Sequence, residues 1–116
     1  MKYFNINEFD SPDKPGSGEL MKMDFLIQLE QARLSSNTPF IINSGYRTIK
    51  HNSKIKGSPT SSHLIGRAAD IKCTNPVDRI NIIKGLIQAG FTRIGVADNF
   101  IHVDNDKSKG NALWIY

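Results

Sequence analysis

Two rhythms of apolar residues divide this chain. From about Glu19 to Leu34 the spacing is helical: Met23, Leu26, Ile27 and Leu34 can share one broad buried stripe, while Lys22, Asp24, Gln28 and Gln31 face water. A second helix opens at Asn75-Pro76, an N-cap asparagine with proline at the first helical position and Asp78 in the first turn. Val77, Ile80, Ile83, Leu86 and Ile87 form its expected buried face, and Gly90 stops it. Elsewhere the apolar residues come in short runs that predict strands at Phe40–Asn43, Ala68–Cys73, Phe91–Ala97 and Phe100–Val103, the last two joined by a tight turn at Asp98-Asn99. Leu113–Tyr116 is expected to add a final edge strand. Residues 1–17 read as an irregular arm pinned by Phe4, Ile6 and Phe9, and residues 48–62 as a short helix or turn followed by a mobile loop. Two main helices against a mostly antiparallel sheet make an α+β fold, with residues 1–116 as one domain.

Composition narrows the picture. A hydrophobic share of 39% and a charged share of 22% are those of an ordinary globular protein. The net charge of +4 comes from scattered basic residues with no dense run and no interleaved aromatics, so nucleic acid is not an expected partner. The single cysteine, Cys73, excludes an intramolecular disulfide and is expected to be a buried thiol. No stretch approaches the roughly 20 apolar residues of a membrane span, and the first ten residues lack the apolar core of a signal peptide. The expectation is a monomer made in the cytoplasm.

The chemistry concentrates in Ser61-Ser62-His63-Leu64-Ile65-Gly66-Arg67-Ala68-Ala69-Asp70. The imidazole and the carboxylate stand seven positions apart, too far for neighbours on one helical turn. The spacing suits a loop carrying His63 that runs into a strand carrying Asp70. Both are zinc-ligand types, and His102 in Phe100-Ile101-His102-Val103-Asp104 is the natural third, leaving a position for water. A carboxylate in the apolar run Ala-Ala-Asp-Ile demands a partner, and a metal is one. Peptide hydrolysis by such a site needs a carboxylate to move the water's proton and a cation to hold the carbonyl oxygen. Asp98 and Asp104 flank His102 for the first task, and Arg47, on a turn after a strand, suits the second. Asp104 could instead orient a neighbouring side chain. Ser61 and Ser62 have no triad partners, so the nucleophile is water.

With those motifs in place the chain resembles the zinc D-Ala-D-Ala carboxypeptidases and related peptidoglycan endopeptidases, whose fold is shared by the hedgehog signalling domain. The S-x-H-x-x-G-x-A-x-D pattern stands as Ser61, His63, Gly66, Ala68 and Asp70; S-G-Y-R as Ser44 to Arg47; and F-[VI]-H-[VI]-D as Phe100 to Asp104. The likeness runs from about Phe4 to Trp114. It implies that His63, Asp70 and His102 hold Zn2+ and that Arg47 contacts a substrate carbonyl or carboxylate. Where some relatives carry a glutamate three residues before the last ligand, this chain has Asn99. Asp98 resembles the acidic residue of the short single-domain branch, so the general base is carried onto Asp98, with Asp104 as the alternative. Phe100 stands where other relatives have a further histidine. Tyr46, His51 and Ser61 are assigned to the substrate side, and Trp114 is expected to pack while bordering the cleft.

The resulting expectation is a metallopeptidase that cuts peptidoglycan stem peptides, trimming the terminal D-alanine or cleaving internally, and acting on the wall after its release in phage or prophage lysis. Its rivals are a non-enzymatic zinc module that binds wall or protein ligands, and an amide hydrolase acting on the sugar–peptide link.

Overall fold

The computed structural model describes residues 1–116. Its sheet has five strands, β1 (Ile42–Ser44), β2 (Ala68–Lys72), β3 (Arg93–Val96), β4 (Phe100–Asp104) and β5 (Ala112–Ile115), in the order β1-β2-β4-β3-β5. All neighbours are antiparallel except β3 and β5. The α+β expectation holds, and the tail strand does lie at an edge. That it runs parallel to β3 follows from its route back across the end of the sheet.

Period-two alternation sorts the strands into two faces. Ala69, Ile71, Ile94, Ile101 and Val103 point into the core. Asp70, Gly95, His102 and Trp114 occupy the intervening positions and line up across the sheet, Asp70 opposite His102 and Gly95 opposite both His102 and Trp114. The core face is covered by α1 (Met23–Ser36) and α3 (Pro76–Gln88), with the short α2 (Ile49–Lys54) and three 3-10 turns (Ile6–Phe9, Ser17–Leu20 and Ser62–Ile65) completing the fold.

α3 starts as expected: the Asn75 side chain accepts from the Asp78 N–H at 2.9 Å and Pro76 occupies its first turn. The two helices cross closely at Gly85, where an added Cβ would sit 2.5 Å from the Ala32 carbonyl oxygen and 2.6 Å from Ser36 Cβ. The buried faces differ from those the spacing suggested. In α1 the core residues are Phe25, Leu26, Leu29 and Ala32, while Met23, Ile27 and Leu34 are exposed. In α3 Ile82 and Leu86 are buried and Ile83 partly so, while Val77, Ile80 and Ile87 are exposed. Both helices carry aliphatic residues around much of their circumference, so tertiary packing selects the face. Ile6 is likewise exposed, whereas Phe4 and Phe9 anchor the N-terminal arm as expected. Cys73 is a buried free thiol, and no helix is long and apolar enough to cross a membrane.

Candidate metal centre

The 3-10 turn Ser62–Ile65 carries His63 and ends at Gly66, whose φ of 72° is left-handed. A Cβ at Gly66 would run into the backbone of Leu20, so this turn needs glycine on two grounds. The Ser44-Gly45-Tyr46-Arg47 segment locks against the turn reciprocally: the Arg47 N–H donates to the His63 carbonyl at 3.1 Å, and His63 Nδ1 donates to the Gly45 carbonyl at 2.7 Å. The carbonyl can only accept, so Nδ1 holds the ring proton and Nε2 presents its lone pair.

That lone pair is the informative atom. His63 Nε2 is buried without a hydrogen-bond partner, 3.3 Å from Asp70 Oδ1. Burial, the largest influence, pushes the His63 pKa down, which disfavours a proton in the gap. An imidazole lone pair facing a carboxylate oxygen in a buried site calls for a cation between them. Two ligands about 2.0–2.1 Å from a tetrahedral zinc lie about 3.3–3.4 Å apart, matching this separation.

Asp70 is supplied by β2, and directly across the ladder His102 on β4 turns Nδ1 towards the same oxygen at 2.9 Å. One nitrogen from each imidazole and one Asp70 oxygen lie within 4.8 Å of one another. Burial opposes ionisation of Asp70, but the imidazoles of His102 and His63 against it outweigh burial and hold its pKa well below the usual carboxylate range.

The other nitrogen of His102, Nε2, donates to Asp104 Oδ2 at 2.8 Å. Asp104 is almost wholly buried, and its second oxygen accepts from Arg93 Nε at 2.7 Å and from the Asp106 N–H at 3.1 Å. Burial again opposes the charge, yet His102 and Arg93 keep its pKa lowered. Burial also acts on His102, but Asp104 and Asp70 raise its pKa. A carboxylate on the far nitrogen fixes which nitrogen of a ligating imidazole is presented to a metal. The donor set therefore fits zinc.

Around these atoms lies a cleft of about 350 Å³ lined by Arg47, Gly57, Ser58, Ser61, Ser62, His63, Asp70, Arg93, Phe100, His102, Asp104, Lys109, Trp114 and Tyr116. Arg47 is held by three hydrogen bonds, from Nε to Ser44 Oγ at 3.0 Å, from Nη1 to Asn52 Oδ1 at 3.2 Å and from Nη2 to Asp70 Oδ2 at 3.2 Å. Trp114 stands against the His102 ring, centroids 5.4 Å apart. A Cβ on Gly95 would lie 2.5 Å from the Trp114 indole, so glycine makes room for this wall. A larger hollow of about 440 Å³ lies across Asp104, lined by Asp24, Thr92 and Lys107 among others, and none of the three candidate ligands borders it.

The sequence profile of the Peptidase M15 family matches residues 2–104, nearly the whole chain and all three motifs. The chain belongs to the Peptidase M15 family. It is thus a member of a zinc-dependent peptidase family, and the buried His63, Asp70 and His102 group could bind the metal. No curated protein matches the chain.

Not every residue assigned to the peptidase site from the sequence lies at the cleft. Arg47, Ser61 and Asp104 line it, and so does Trp114. Asp98 does not: it is exposed in the β3–β4 turn, where its carbonyl accepts from Arg79 Nη2 at 2.8 Å. It shares the odd–even parity of His102, but the strand ends at Phe100 and the turn carries the side chain out of line. His51, on α2, borders a separate hollow with Pro12 and Asp13. Tyr46 packs on the core, its N–H donating to the Phe9 carbonyl at 2.9 Å. Sequence reasoning missed Arg93, Asp106 and Lys109. Only Asp106 carried a usable signal, lying two residues beyond Asp104.

Proposed function

We propose that this Peptidase M15 member is a zinc metallopeptidase that hydrolyses peptide bonds in the stem peptides of bacterial peptidoglycan, as a D-Ala-D-Ala carboxypeptidase or as an endopeptidase of phage or prophage lysis. The observation that carries the reading is the convergence of His63 Nε2, Asp70 Oδ1 and His102 Nδ1 in an open cleft bordered by Arg47. The motif likeness to wall-cutting relatives supports the substrate class. Zinc held by these three residues would acidify a water molecule and polarise a neighbouring carbonyl.

The remaining roles belong to the protein. Gly45 and Asp104 fix the imidazoles so that the right nitrogens converge. Arg47, immobilised by Ser44, Asn52 and Asp70, faces the cleft with guanidinium N–H groups to spare and is positioned to hold a substrate oxygen as it gains charge. Ser61 lines the same cleft and supplies a hydroxyl to the bound peptide. Asp104, committed to His102 and Arg93, orients the ligand.

The test is digestion of purified peptidoglycan with and without a chelator, read by mass spectrometry. Chelator-sensitive release of D-alanine or of fragments with new peptide termini is expected, and a wall left uncut by the zinc-loaded protein overturns the peptidase reading. One observation favours a second reading. The cleft's two carboxylates, Asp70 and Asp104, are both committed, so no free acid stands ready to take the proton of a water. Stoichiometric zinc with retained wall binding and no new termini would make the chain a zinc-dependent binding module.

A further inference from the structure

Resting on the zinc reading above, we infer that Asp106 positions the His63 side of the metal centre through the hydroxyl of Ser62. Ser62 immediately precedes His63 and is 2% exposed, and its Oγ donates to Asp106 Oδ2 at 2.7 Å. Ser62 Oγ in turn accepts from Lys109 Nζ at 3.0 Å, and that ammonium also reaches the Thr60 carbonyl at 2.7 Å. A buried hydroxyl that gives its one proton to a carboxylate and receives one from an ammonium has a fixed direction.

Asp106 is itself immobile. It is 5% exposed, and its other oxygen accepts from the Ser108 hydroxyl at 2.6 Å and the Ser108 N–H at 3.1 Å. Its own N–H donates to Asp104 Oδ1. One short segment at the end of β4 therefore grips both imidazole-bearing elements: Asp104 holds the ring of His102, and Asp106 holds the residue next to His63. The clasp joins positions 44 apart in the chain. Asp106 and Lys109 also fall after residue 104, where the family match ends.

Asp106 and Ser62 are positioning residues, since neither touches the convergent ligand atoms. The test uses the full chain and its Ser62→Ala, Asp106→Ala and Asp106→Asn variants. It reads zinc affinity by competition with a chromophoric chelator, the visible spectrum of the Co2+-loaded protein, and the melting of the metal-free form. Loss of the clasp in Ser62→Ala and Asp106→Ala is expected to weaken zinc by roughly 10–100-fold and to alter the Co2+ bands. Asp106→Asn, which keeps an acceptor oxygen for Ser62, restores most of the affinity. If Asp106→Ala does not fold, the smaller change Ser62→Ala carries the test. Zinc affinity within about twofold of the parent and an unchanged Co2+ spectrum in the folded variants, even with a lowered melting point, overturn the inference. A parent chain that binds no zinc overturns the metal reading itself, a failure visible before any variant is made.

Discussion

Replacing His63, Asp70 or His102 by alanine removes one of the three converging atoms, and each variant is expected to lose stoichiometric zinc by elemental analysis. A variant that keeps a full equivalent strikes its residue from the ligand set. Asp98→Ala provides the complementary check. From its exposed place in the β3–β4 turn it is expected to leave zinc content and turnover within about twofold of the parent, and a zinc-replete but inactive variant would return the proton-transfer role to that turn. The convergence of the three candidate ligands was legible because it depends on residue type and on a loop-to-strand spacing, both of which survive in one dimension. The contribution of Asp104 was legible in kind too, since residues two apart on a strand share a face. The placement of Asp98 outside the cleft was not, because the number of residues between two side chains does not say where a strand stops and its turn swings away.

Among the elements, the α1–α3 crossing carries a sharp expectation. Gly85→Ala places a methyl against the Ala32 carbonyl, a backbone group that cannot swing aside. Although alanine favours helix by about 1 kcal/mol over glycine, overpacking costs about 1–3 kcal/mol. The variant should therefore be no more stable than the parent by denaturant midpoint, and a clear rise would show that the helices separate freely. Caps, breaks and strand runs were readable in these elements, since Asn75, Pro76 and Gly90 act locally. Which side of α1 meets the sheet was not. Met23, Ile27 and Leu34 compete in hydrophobicity with Phe25 and Leu29, and only the shape of the opposing sheet separates them. The parallel direction of β5 was equally hidden, being a property of the route from β4 around the sheet end.

Across the whole molecule, charge is stored in a few buried carboxylates. Burial pushes the Asp106 pKa up, but hydrogen bonds from Ser108 and Ser62 and the nearby Lys109 charge prevail and bring it from 3.8 down to about 2. A folded value below the unfolded one stabilises the fold above about pH 4, and this contribution fades as pH falls towards about 2. The gap in melting temperature between the metal-free parent and Asp106→Asn should thus be full near neutrality and close through that acid window. A gap independent of pH would mean that the charge of Asp106 adds nothing to the fold. The chain's sole tryptophan, Trp114, comes from the tail, yet its indole lies beside a ring at the centre of the sheet. Its ultraviolet emission is therefore an intrinsic optical gauge: a cation arriving at His102 should change the brightness or colour of that light in the unlabelled protein.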